Sequence, residues 1–449
     1  MAGQTNQLDH TLKSRHVSMI AIGGIIGAGL FVGSSTSIAQ VGPAVVVSYA
    51  IAGLVILLVM RMLAEMAALN PGAGSFTELV RGSLGHRAGF ITGWLYWYFW
   101  VIVVPIEAIA GAVILHQWIA APPWAIGVAL LAGLTGVNLM SAKSYGEFEF
   151  WFSLMKVVAI VAFIALAGLW VFGVTAPGGP TFSTMIDHGG FAPKGWGAVI
   201  AGTTSVIFAL CGAEIATIAA AESAEPARTI ARITSSVAVR ILLFYVVSIA
   251  LIVAVMPWTD ITPGKSPFAM ALGHMAIPHA ETIMNLVVLV AVLSCLNSGL
   301  YVTSRVLFVL ADRGDAPKSL VVLNGRKVPA RAIIVASLFA YLALAASVIS
   351  PQVVFSFLVN ASGAIMLFIY AFVVLAQIRQ RAKIEAEAPE RLVVRMWFYP
   401  YASWATLAGI VAVLVAMGLA PARRIELISS LGTLALVWGL SFLPRKGVD

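Results

Sequence analysis

The feature that most constrains this chain is a series of twelve apolar runs. Each is close to the roughly 20 residues that a helix needs to cross a bilayer. They lie at 17–39, 43–68, 89–119, 124–141, 150–173, 197–221, 236–256, 282–311, 332–349, 353–377, 398–419 and 425–443. Transmembrane β-strands would instead be segments of about ten residues with alternating polarity. Stretches such as Leu54 to Met60 and Ile249 to Met256 do not alternate. The pattern predicts an all-α polytopic membrane protein with 12 transmembrane helices. Composition agrees: 60% of the residues are hydrophobic and 10% are Asp, Glu, Lys or Arg. A soluble protein carries about 25% charged residues, so a soluble enzyme or a disordered regulator is excluded.

The net charge of +8 would point a soluble protein towards nucleic acid, but its distribution points to a membrane. With the N-terminus in the cytoplasm, twenty Lys/Arg fall on the inner side, counting Arg240 at the inner end of the seventh run, and four in outer segments (Lys194, Lys265, Arg423, Arg424). That is the bias of the positive-inside rule. It predicts both termini on the cytoplasmic side, membrane lipids as partners and no nucleic acid. The other three cations, Arg61, Lys156 and Arg305, fall inside apolar runs. Met1 to His16 is polar, lacks a small-residue cleavage site and is read as no signal peptide. Cys211 and Cys295 both fall mid-run, which gives neither a disulfide framework nor a zinc site. No metal or cofactor is expected. No hydrophilic stretch exceeds about 25 residues by the span-length criterion, so a single transmembrane domain is expected. Ile378 to Glu387 reads as a short charged helix along the inner surface.

Two runs stand apart. The first holds Gly23, Gly24, Gly27 and Gly29 near its middle, and the sixth holds Phe208-Ala-Leu-Cys-Gly-Ala-Glu214. A glycine inside a helix costs about 1 kcal/mol relative to alanine, so unwinding there is cheap. Unwound backbone within a bilayer is tolerated only where protein or a wet cavity satisfies it. A pair of interrupted helices at matching places in oppositely oriented halves points to a transporter binding site. Small-residue packing is the competing reading, since Gly23 and Gly27 have the Gly-x-x-x-Gly spacing.

Three stretches carry a family resemblance: Leu12 to Gly33, Val59 to Met66 and Gly212 to Ser223. On these the chain resembles the bacterial amino acid permease branch of the amino acid–polyamine–organocation superfamily. Within that branch Gly93 to Trp100, Tyr145 to Trp151, Ser294 to Ser298 and Arg313 to Pro317 look most like γ-aminobutyrate permeases. The resemblance implies a five-plus-five inverted repeat of LeuT type, with helices 1 and 6 broken. Repeat one would be 17–173, repeat two 197–377, and the additional helices 398–443. It implies proton-coupled import of a small amino acid across the bacterial cytoplasmic membrane. The sequence offers no nucleophile–base constellation or metal cluster, so no catalytic residues and no enzyme activity are expected. Exchange of amino acids, or symport of alanine, proline or an aromatic amino acid, is the alternative. Oligomeric state is not legible.

An amino acid is a zwitterion, so its site must offer donors to a carboxylate and acceptors to an ammonium. The first break would expose the amides of Ile26, Gly27, Ala28 and Gly29 at the positive end of a helix dipole. It would also expose the carbonyls of Ala21, Ile22 and Gly23. The sixth run would add the carbonyls of Phe208, Ala209 and Leu210. The resemblance places an aromatic gate at Phe208, although a packing phenylalanine fits the sequence equally well. Glu107 follows Pro105 mid-run, where a charged group is costly and usually functional. It reads as a proton carrier, a partner for a ligand's ammonium, or a protonated carboxyl bonded to backbone. Glu214 would hold helix 1 or the cavity mouth. Arg61 and Glu65, four residues apart, read as an ion pair serving packing or gating. Lys156 lies about 9 Å along its helix. Either its stem snorkels to an interface, or, as the resemblance implies, its ammonium sits between helices 1 and 8, where sodium sits in sodium-coupled relatives. Desolvation there would penalise the charged form and make it a proton switch. Asn297 and Ser298 would line the neighbouring cavity.

Overall fold

The computed structural model describes residues 26–70, 73, 75–140, 145–212, 214, 241–324 and 328–442. Among them there are helices and turns but no strand. In chain order they are α1 (Ala28–Phe31), α2 (Gly33–Val41), α3 (Val45–Leu69), α4 (Phe76–Leu84), α5 (His86–Leu115), α6 (Pro123–Met140), α7 (Tyr145–Val171) and α8 (Thr184–Asp187). They continue with α9 (Gly195–Leu210), α10 (Ser248–Val255), α11 (Pro267–His274), α12 (Ala280–Asp312), α13 (Ala330–Ala346), α14 (Pro351–Glu387), α15 (Tyr401–Leu419) and α16 (Arg424–Leu440). Among the described residues six helices (α3, α5, α7, α12, α14 and α15) are long and apolar enough to cross a membrane. Among the described helices, α11 and α14 start on serine caps. Ser266 and Ser350 each accept an amide three residues on, at 3.4 and 3.3 Å, with proline in the first turn.

The molecule is built around α5. Of its most apolar 18-residue stretch 83% is buried, against 28% for α7 and α15. It packs most extensively against α12 and α14, and Glu107 lies on it one half-turn beyond Pro105. The outward surface of α15 is apolar and aromatic, with Tyr401 and Trp404 exposed. Helices that must meet lipid leave apolar side chains outside, as a bilayer requires.

Two expectations are corrected here. Ile378 to Glu387 is not a separate surface helix but the end of α14, which runs unbroken for 37 residues, about 55 Å. Its helix-favouring Gln, Arg, Lys, Ala and Glu residues let the last apolar turn continue. Glu65 does not pair with Arg61. It accepts Arg381 Nη1 at 2.6 Å, Gln377 Nε2 at 2.7 Å and the Met396 amide at 2.5 Å, so the α14 extension and the connector behind it claim the carboxylate.

Charges hold both ends. At the basic end α4 is tied to the segment after α12, where Arg81 and Asp315 form an ion pair, as do Arg313 and Glu78. Trp94 Nε1 donates to the Asp315 carbonyl at 3.0 Å. Burial lowers the Arg313 guanidinium below its ordinary range, with Asp315 opposing. At the opposite end Arg423, in the turn between α15 and α16, is buried. It donates to the Ala201 carbonyl at 2.6 Å, Thr204 Oγ1 at 3.1 Å and Gln40 Oε1 at 2.6 Å. Burial pulls its guanidinium down to about 10, with Glu426 opposing.

Candidate functional site: two helix breaks around one cavity

The first break is at Gly27, where extended backbone precedes α1. The Ala28 amide, at the start of that helix, donates to both carboxyl oxygens of Glu107 at 3.3 Å. A glutamate from α5 thus caps a helix 79 residues away in sequence, as an acidic group at a helix N-terminus should. Cys295 of α12 donates its thiol to the Ile26 carbonyl at 3.6 Å. Side chains crowd so closely that a Cβ on Gly27 would lie 2.5 Å from Cys295 Sγ and 3.0 Å from Glu107 Oε1. Lys156 of α7 is fully buried. Its Nζ donates to Ser294 Oγ at 3.1 Å and to Cys295 Sγ at 3.7 Å, so the stem crosses to α12 and does not climb to an interface.

The second break ends α9 at Leu210. Cys211 is extended (ψ 154°) and Gly212 takes φ +106°, a conformation that favours glycine. Here the capping carboxyl is local: Glu214 Oε2 accepts the Gly212 amide at 3.0 Å. Tyr96 of α5 donates to Glu214 Oε1 at 3.4 Å, and the Tyr370 hydroxyl of α14 donates to Cys211 Sγ at 3.9 Å. Of the four terminal carbonyls that a helix leaves open, Ile207 accepts the Cys211 thiol at 3.1 Å and Phe208 the Cys211 amide at 3.3 Å. Among the described residues nothing beyond the helix donates to those of Ala209 and Leu210.

The breaks meet. A Cβ on Gly29 would lie 2.7 Å from Ala209 Cα and 3.2 Å from the Phe208 ring. Beside this contact is a cleft, partly open to solvent, with about 410 Å³ of empty space. It is lined by Gly27 and Gly29, by Phe99, Trp100, Val103 and Glu107 of α5, by Phe208, Ala209 and Cys211, and by Cys295 and Ser298 of α12.

Most expected residues therefore converge. Gly27, Gly29, Phe208, Ala209, Glu107 and Ser298 line the cleft, Ala28 is held by Glu107, and Ile26 is held by Cys295. Ala21, Ile22 and Gly23 lie outside the described residues. Asn297 does not face the cleft. Its Oδ1 accepts Asn138 Nδ2 of α6 at 2.8 Å. One residue turns a helix by about 100°, so Cys295 and Ser298 share a face that Asn297 leaves. Sequence reasoning missed Cys295 as a lining residue, although its three-residue spacing from Ser298 carries that signal. It also missed Phe99 and Val103, which precede Glu107 at four-residue steps along one face of α5. Tyr96 and Tyr370 had no signal, because their partners Glu214 and Cys211 are reached only through tertiary packing.

A profile of the amino acid permease family matches residues 16–438. The chain belongs to that family. It is 46% identical to the γ-aminobutyric acid permease of Bacillus subtilis over 98% of this chain and 94% of the relative. It is also 46% identical to a probable GABA permease of Pseudomonas aeruginosa, over 93% and 89% of the two chains. With the γ-aminobutyric acid permease of Escherichia coli it shares 44% over 97% and 94%. Membership makes the chain a multi-pass membrane transporter and not an enzyme.

Proposed function

We propose that this permease imports γ-aminobutyrate or a related small amino acid, with protons, across the bacterial cytoplasmic membrane. The observation that carries the reading is the meeting of the two helix breaks beside one cleft, each with unwound backbone and a capping carboxyl. Donors at α1 and acceptors at α9 suit a zwitterion, and relatives bearing the γ-aminobutyrate name span nearly the whole chain. The architecture that goes with this reading is twelve spans with both termini in the cytoplasm, a five-plus-five inverted repeat over 17–173 and 197–377, and two additional helices over 398–443.

The substrate carboxylate takes the amides around Gly27 and Gly29, displacing the Glu107 carboxyl from Ala28. Its ammonium takes the carbonyls of Ala209 and Leu210. An amine on the γ carbon needs a longer gap between donors and acceptors than an α-amine, and separate breaks supply one. Phe208 closes over the substrate, Phe99 and Trp100 flank its methylenes, and Ser298 adds a hydroxyl. Lys156 and Glu107 exchange the driving proton: the ammonium donates to Ser294 and Cys295 of α12, and Cys295 and Glu107 both crowd Gly27. Glu214 and Glu65 hold moving parts together.

The test is uptake into proteoliposomes with a panel of competitors. γ-Aminobutyrate should compete better than alanine, proline or lysine, and a proton gradient should drive net uptake into empty vesicles. An α-amino acid that wins by tenfold, about 1.4 kcal/mol of preference, rejects the substrate. Uptake only into preloaded vesicles rejects symport in favour of exchange.

A further inference from the structure

Arg61 lies inside an apolar run, and the carboxylate that its spacing suggests as partner is committed elsewhere. Its guanidinium lies over the Trp397 ring, 5.2 Å from the centroid, and its Nε donates to the Arg395 carbonyl at 2.9 Å. The connector that supplies both groups alternates in burial. Leu392, Val394 and Met396 are buried, while Arg391, Val393, Arg395 and Trp397 face outward. This is the period-two pattern of an extended segment with one face inward. The Met396 amide on Glu65 locks the register.

That register puts three guanidiniums on one surface. Each is placed by a carbonyl: Arg61 by Arg395, Arg391 by Leu69 at 3.2 Å, and Arg395 by Leu392 at 3.2 Å. Among the described residues no carboxylate forms an ion pair with any of the three. Alongside lie Trp397 and Phe398, the latter 85% exposed. The patch continues into Tyr401 and Trp404 at the start of α15, a helix most of whose surface is unburied.

We propose that this patch is a binding site for one anionic phospholipid. Planar guanidinium forks match phosphate oxygens. Aromatic side chains favour the headgroup level, and the apolar flank of α15 receives the acyl chains. A soluble anion would gain nothing from exposed Phe398, and a zwitterionic lipid would bring a cation beside three others. The occupant therefore carries net negative charge on a glycerophosphate. Through Met396 and Glu65 it fastens α3, α14 and α15 at one point.

The full chain, purified and given equal phosphatidylglycerol and phosphatidylcholine, is assayed by native mass spectrometry for retained lipid and by thermal unfolding in each lipid. The wild type should retain phosphatidylglycerol selectively and unfold at a higher temperature with it. R61Q/R395Q should hold it about 25-fold more weakly, at about fivefold per arginine near a membrane surface, and lose the thermal shift. R424Q, at the opposite end, should behave as wild type. Equal retention of the two lipids by the wild type overturns the proposal, as does undiminished retention by R61Q/R395Q or a loss in R424Q. If R61Q/R395Q does not fold, R391Q/R395Q, which alters only exposed side chains, carries the test. Wild-type retention by that variant also overturns it.

Discussion

The two helix breaks solve one problem differently. Both leave an amide unpaired at a chain bend, and both satisfy it with a glutamate. At the first break the carboxyl comes from α5, so the start of α1 is held only while α5 stays beside it. At the second it comes from Glu214, two residues beyond the amide it caps, and travels with it. A remote cap couples a bend to its surroundings, whereas a local cap stabilises the bend itself. The crowding agrees. Cys295, Glu107 and, through Cys295, Lys156 converge on Gly27 from three other helices, while Glu214 is joined by the Tyr96 hydroxyl.

Four tests bear on that contrast, the largest effect first. Gly27→Leu puts a branched side chain where even a Cβ is 2.5 Å from Cys295 Sγ. Purified protein should keep its helix content and lose measurable substrate binding, and near-normal affinity would remove the site from the first break. Lys156→Ala should abolish uphill accumulation but keep exchange of internal for external substrate. Accumulation at the wild-type level would leave Glu107 as the sole proton carrier. Next, Glu107→Ala and Glu214→Ala should diverge. Leaving a buried amide unsatisfied costs about 1–3 kcal/mol in either case. For Glu107 the change should appear in KM for uptake, because the cap that the substrate must displace is gone, with Glu107→Gln holding KM nearer the wild type through its remaining acceptor. For Glu214 it should appear as a lower unfolding temperature. Equal KM effects would erase the distinction between remote and local caps. Tyr96→Phe, which removes a single 3.4 Å bond to Glu214, should be mildest, at about 0.5–1.5 kcal/mol of stability with KM unchanged.

Much of this was legible in the sequence because a bilayer allows so little else. Apolar runs of helix length announced α3, α5 and α12 within a few residues, and the glycines announced Gly27 and Gly29. What was not legible depends on partners distant in the chain. Arg61 and Glu65 satisfy the helical spacing for an ion pair, but Arg381, more than 300 residues on, makes the better offer to Glu65. The same holds for Asn297, drawn to Asn138, and for the Ala28 amide, an expected substrate donor that Glu107 already occupies. Local spacing reports which face a side chain takes, and only the packed fold reports what waits there.

The turn of α9 from Ala201 to Thr204 is gripped on two sides. Arg423 holds its carbonyl and hydroxyl, and on the other flank α14 comes so near that a Cβ on Gly363 would overlap the Thr204 carbonyl. Backbone pressed on backbone leaves no room to slide. Any rearrangement of α9 must then be a tilt about this fulcrum. The free arm of the lever runs six residues, about 9 Å, to Leu210, so a small rotation at Thr204 becomes its widest sweep where the helix ends at the cleft.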